Sequence, residues 1–124
     1  MEKTSKKILI VEDSKSYLLI LEQNLIQAGF DVTTAENGEE GLVAAEKTKP
    51  DLILLDIEMP KMDGITMSKK LRESNNLVPI IFLTNMSDLS HISVAAETAA
   101  EYIIKSDQSV GEIVTRVKER LDVK

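Results

Sequence analysis

The chain has 124 residues, enough for one domain around one core, and no cysteine, so disulfides and thiolate metal sites are closed to it. Apolar residues make up 43% and can fill that core; with aromatics at 3%, the core must be aliphatic. A net charge of −6 argues against a nucleic-acid face, and no apolar stretch approaches the roughly 20 residues of a membrane span.

The polar, basic start from Met1 to Lys7 lacks the apolar segment of a signal peptide, so a soluble cytoplasmic protein is expected. The first apolar run, Ile8 to Val11, reads as a strand and ends at Glu12-Asp13. A helix follows from Ser14 to Gly29, with Leu18, Leu21 and Leu25 on one stripe and Gly29 as its stop. Asp31 to Ala35 is a weaker, alternating strand that suits a sheet edge. Asn37 caps the next helix, with Glu40 three residues on as its capping-box partner, and Pro50 blocks extension past Lys49. Leu52 to Leu55 is a third strand and runs into Asp56. A third helix starts near Asp63-Gly64 and ends around Ser74-Asn75-Asn76. Ile80 to Leu83 is a strand running into Thr84, and a fourth helix starts at Ser87. Tyr102 to Ile104 is a last strand running into Lys105. The fifth helix opens with a Ser109/Glu112 capping box and carries the clearest stripe: Val110, Ile113, Val114, Val117 and Leu121.

Short apolar runs bounded by polar residues read as strands buried on both faces, the mark of a parallel sheet. Five alternations of strand and helix predict a doubly wound (βα)5 domain with right-handed crossovers and strand order 2-1-3-4-5. No repeat or linker divides the chain, so residues 1–124 are expected to form a single domain.

In such sheets ligands bind beyond the carboxyl ends of the strands. Glu12, Asp13, Asp56, Thr84 and Lys105 therefore converge on one edge, although they span more than ninety positions of sequence. Three carboxylates this close raise one another's pKa, and a divalent cation removes the conflict. Ligands that are all oxygen suit Mg²⁺ and argue against zinc. Lys105 adds a second positive charge and Thr84 a hydroxyl, and together they stabilise a phosphoryl group in transfer. Asp56, the central acid, can act as nucleophile and form an aspartyl phosphate. Taken alone, Glu12-Asp13 also suits a solvated helix N-terminus, where acids favour the dipole. His91 lies in a polar stretch and reads as a surface residue.

The whole chain resembles a receiver domain of the two-component response-regulator family. The resemblance is carried by Glu12-Asp13, by Asp56, by Met59-Pro60-Lys61-Met62-Asp63-Gly64, by Thr84, and by Tyr102 with Lys105, all in order. It implies the flavodoxin-like fold and a phosphorelay role. Asp56 is then the phospho-acceptor. Asp13 and Asp56 are direct Mg²⁺ ligands, joined by the backbone carbonyl of Glu58, with Glu12 acting through water. Lys105 pairs with the phosphate, and Thr84 and Tyr102 form a switch pair. The implied donor is a histidine kinase or phosphotransfer protein. An unknown downstream protein would read the surface formed by the fourth helix, fifth strand and fifth helix, with no output domain, nucleic acid or membrane involved. Catalysis is expected to be limited to the domain's own phosphoryl transfer and dephosphorylation.

Three positions depart from the family's usual pattern. Asn85 stands where a small residue is usual, Ser106 stands where proline usually follows the lysine, and Glu97-Thr98-Ala99-Ala100 lacks the usual glycine. All three bear on partner choice and switching. The absence of proline predicts a trans Lys105–Ser106 bond. Two other functions compete. A Mg²⁺-dependent phosphatase with an aspartyl nucleophile would carry Asp-x-Asp after the first strand and a cap; here Asp56-Ile57-Glu58 follows the third strand. An FMN binder of the same strand order would need a hydroxyl- and glycine-rich loop where Glu12-Asp13-Ser14-Lys15 stands.

Overall fold

The computed structural model describes residues 5–85 and 101–123. The elements are β1 (Lys7–Val11), α1 (Lys15–Gln27), β2 (Asp31–Ala35), α2 (Gly38–Thr48), β3 (Leu52–Asp56), α3 (Gly64–Glu73), β4 (Ile80–Thr84), β5 (Glu101–Ile104), a 3-10 turn (Lys105–Asp107) and α4 (Val110–Arg120). The helix expected from Ser87, with His91 and the segment from Glu97 to Ala100, lies outside the described residues. Thus α4 is the fifth helix of the sequence reading.

The strands form one sheet in the order β2-β1-β3-β4-β5, and every pairing is parallel, as the alternation predicts. Successive side chains point to opposite faces, so each apolar run feeds two cores. Ile8, Ile10, Leu52, Leu54, Ile81, Leu83 and Ile103 pack against Leu18, Leu21 and Leu25 of α1 and Ile113 and Val117 of α4. Leu9, Val11, Ile53, Leu55, Ile80 and Phe82 pack against Ala45 of α2 and Met67 and Leu71 of α3. The leucine stripe of α1 and the centre of the α4 stripe are therefore buried as expected.

The caps follow the residue chemistry. The Asn37 side chain accepts the Glu40 N–H at 2.9 Å, and Asp63 accepts the Thr66 N–H at 2.7 Å. Ser109 and Glu112 form the reciprocal capping box. Helix α2 ends on a left-handed Lys49, directly before Pro50, and Gly29 takes a positive φ of 100° just past α1. No peptide bond among the described residues is cis, so Lys105–Ser106 is trans as predicted.

One expectation needs correcting. The apolar run from Tyr102 to Ile104 reads as a strand buried on both faces, yet only Ile103 of β5 is buried and Tyr102 is 38% exposed. Among the described residues, β5 has a strand neighbour on one side only, β4. Its short apolar run satisfies one face only.

Candidate functional site

Register brings the predicted residues together. Val11 lies opposite Leu55, Asp56 opposite Leu83, and Thr84 opposite Ile104. Glu12, Asp56, Thr84 and Lys105 therefore leave the sheet at one carboxyl edge, at the ends of four adjacent strands. They line a cleft of about 310 Å³ with Asp13, Ser14, Glu58 and Asn85.

Glu12 is fully buried. Its backbone N–H donates to Ala35 O at 3.0 Å, continuing the sheet by one rung. Its carboxylate accepts the Lys105 ammonium at 2.5 Å and the Ser14 N–H at 3.0 Å. A buried carboxylate is costly without such partners. Asp56, the last residue of β3, is also buried, and the Lys105 Nζ lies 3.7 Å from its Oδ1. Asp13 is exposed at the cleft mouth. One carboxylate oxygen each from Glu12, Asp13 and Asp56 can be chosen so that all lie within 4.8 Å of one another. Thr84 is buried at the end of β4.

The floor of the cleft is set by a tight loop. The Ile57 N–H donates to Leu83 O at 3.0 Å, and the Gly64 N–H donates to Ile57 O at 2.8 Å. This draws the start of α3 so close to β3 that a Cβ at position 64 would run into the Asp56 carbonyl oxygen. The Gly38 N–H donates to Met62 O at 3.1 Å, tying the same loop to α2.

The charges do not balance. Burial, reinforced by the Glu12 carboxylate, pushes the Asp56 carboxyl up to about 8. The Lys105 ammonium pulls the other way, while hydrogen bonding with the Asp13 and Glu12 side chains adds to the rise. Burial, then Glu12 and Asp56, likewise push the Tyr17 hydroxyl up to about 12. The close triad of Glu12, Asp13 and Asp56 thus has one ammonium, that of Lys105, among the residues lining the cleft. An excess of oxygen donors and negative charge, with no nitrogen or sulfur ligand among them, fits a hard divalent cation such as Mg²⁺.

Of the residues singled out in the sequence, Glu12, Asp13, Asp56, Glu58, Thr84 and Lys105 share the cleft. Tyr102 does not line it: it pairs with Phe82, further back along β5, and its side chain is exposed. Two features escaped the sequence reading. One is the ion pair between Glu12 and Lys105, two groups 93 positions apart. The other is Tyr17, whose ring centroid lies 4.6 Å from the Lys105 ammonium. An aromatic four positions after Asp13, at the first turn of α1, was its only trace in the sequence.

The family model for the response regulator receiver domain matches residues 8–118. This chain belongs to that family. The receiver domain is 41% identical over 114 residues to the alkaline phosphatase synthesis transcriptional regulatory protein PhoP of Bacillus subtilis, covering 92% of this chain and 48% of that protein. It spans about half the length of the curated relatives it matches. Among solved structures, a CheY-like response regulator receiver domain protein from Methanospirillum hungatei superposes with a TM-score of 0.89 at 29% identity, covering 96% of this chain and 95% of that one. The CheX–CheY–BeF3–Mg²⁺ complex of Borrelia burgdorferi gives 0.84 at 28%, covering 96% and 90%. The protein is thus a response-regulator receiver domain of two-component signalling. No described helix is long and apolar enough to cross a membrane.

Proposed function

We propose that Asp56 accepts a phosphoryl group from a phosphohistidine donor, on a histidine kinase or phosphotransfer protein, in a Mg²⁺-dependent reaction. The observation that carries this reading is the acidic triad: a buried Asp56 crowded by Glu12 and Asp13, with one ammonium beside it. The Borrelia relative is described as a complex with BeF3 and Mg²⁺, and we carry the cation over to this cleft. Asp13, Asp56 and the Glu58 carbonyl would hold it, with Glu12 supporting through water. When bound, Mg²⁺ offsets the negative charge of the acids and of the incoming phosphoryl oxygens.

The chain's own groups do the rest. An oxygen of the ionised Asp56 carboxylate attacks phosphorus in line with the donor nitrogen; the P–N bond breaks and its electron pair leaves with the imidazole. Lys105 is already held 3.7 Å from Asp56 and meets the phosphoryl charge without reorganising. The Thr84 hydroxyl, at the end of the adjacent strand, donates to a phosphoryl oxygen. Its movement toward the phosphate is coupled to an inward turn of Tyr102, which stands half-exposed on β5. A partner protein, rather than nucleic acid or membrane, reads the resulting change around β5, α4 and the segment before β5. The PhoP relative is named as a transcriptional regulator, so control of transcription through a partner or linked region is the output we favour.

The test is intact-mass measurement after incubation with a small acyl phosphate. One added phosphate is expected with Mg²⁺, and none with chelator or in Asp56→Asn. Equal incorporation in Asp56→Asn overturns the assignment.

A further inference from the structure

Among the described residues the Lys105 ammonium meets two acids and one aromatic ring. Its ammonium pairs with Glu12 and approaches Asp56; the ring of Tyr17 lies against it, 4.6 Å away. The lysine side chain is only 10% exposed, so this third contact is largely shielded from water. A cation held over an aromatic face within about 6 Å is attracted by the ring quadrupole, most strongly when desolvated. The Tyr17 hydroxyl does not explain the residue's presence: it is buried and has no hydrogen-bond partner among the described residues. A leucine or methionine would pack against the same core without stranding a polar atom. What tyrosine adds here is the ring.

We propose that Tyr17 is a positioning residue for phosphoryl transfer: its ring holds the Lys105 ammonium against Glu12 and Asp56, so the cation is in place when the phosphoryl group arrives. The proposal rests on the reading of Asp56 as acceptor. Lys105 has a long, flexible stem, and Glu12 alone fixes its distance from one carboxylate but not its direction. The ring supplies that second constraint. Through it, α1 reaches across to the end of β5 and orders a group it does not touch by hydrogen bonding.

The proposal is tested by initial rates of Asp56 phosphorylation in the full chain, with acetyl phosphate and Mg²⁺. An Asp56 carboxylate oxygen bonds to phosphorus, the P–O bond to the acetyl group breaks, and acetate leaves with its electron pair. Tyr17→Leu and Tyr17→Met should both slow this on the order of tenfold. Tyr17→Phe keeps the ring and should restore the parent rate. In a Lys105→Met background, Tyr17→Leu should add no further loss, because the ring acts through the ammonium. The ring current on the Lys105 ε-protons, read by NMR without donor or metal, should persist in Tyr17→Phe and vanish in Tyr17→Leu. A parent rate in both ring-free variants, a loss in Tyr17→Phe equal to that in Tyr17→Leu, or full additivity with Lys105→Met overturns the positioning role. A parent that takes up no phosphate overturns the reading of Asp56 itself, and the proposal with it.

Discussion

The two ends of this sheet are built from similar polar residues to opposite effect. At the amino edge every named charge or carbonyl is answered. The Lys7 N–H donates to the Asp51 carboxylate at 2.8 Å, and the Asp51 N–H returns to Lys7 O at 2.8 Å. The Asp31 N–H donates to Lys6 O. Arg72 donates to the carbonyls of Asn76 and Val78, both at 2.9 Å, and so pins the loop that feeds β4. At the carboxyl edge three acids face one lysine, and a cleft stays open above them. The amino edge is closed for stability. The carboxyl edge holds unbalanced negative charge, which under the proposed function a divalent cation would offset.

The largest effect should come from closing the space beneath the cleft. Gly64→Ala places a methyl group into the Asp56 carbonyl, and backbone must move. Urea unfolding should show a loss of about 3 kcal/mol, and phosphate uptake should fall with it. An unchanged midpoint would mean that the loop has room to give.

The unbalanced charge gives a pH signature. Burial and the Glu12 carboxylate push the Asp56 carboxyl up to about 8 in the fold, above its ordinary value near 4 when unfolded. Below pH 4 both states are protonated and there is no penalty. Between pH 4 and 8 the unfolded chain ionises first, so metal-free stability falls across that window and levels above it. Asp56→Asn removes this component. Under chelator the variant should be more stable than the parent at pH 8, with the gap closing toward pH 4. Added Mg²⁺ should stabilise the parent and narrow the gap at pH 8, since it binds the folded site only. A gap that does not vary with pH would place the strain elsewhere.

The amino edge should behave as pure scaffold. Arg72→Ala leaves two loop carbonyls without their donor and should cost about 1–2 kcal/mol, while the rate of phosphorylation at Asp56 stays at the parent value. A slowed rate in a fully folded variant would show that the two edges are coupled through β4. The smallest effect belongs to neither edge. Arg116 pairs with Glu101 at 2.8 Å on the outer side of β5 and α4, and both side chains are a third or more exposed. Arg116→Ala should cost less than about 1 kcal/mol, and the difference should shrink as salt is raised toward about 0.5 M.

The Ile8–Val11, Leu52–Leu55 and Ile80–Leu83 runs could be read from the chain because local hydrophobicity and β-branching suffice to mark a buried strand. The caps at Asn37 and Ser109 were equally legible, since a side chain and an N–H three residues away are covalently near. The acids and the lysine could be assigned to one edge because parallel topology puts every strand's end on the same side. That much was set by the sequence alone. The strand order 2-1-3-4-5 already put β5 at an edge, but the sequence did not show how little of its apolar run would be buried; burial depends on what lies beside a strand, not on its own residues. Nor did the sequence show that Glu12 takes Lys105 as its partner, or that Tyr17 lies against that lysine. These contacts join residues separated by most of the chain, and only the packing of α1 against the ends of β1 and β5 decides which groups meet. The same packing, by burying Asp56 beside Glu12 with one ammonium between three carboxylates, turned a row of ordinary acids into a site with charge to spare.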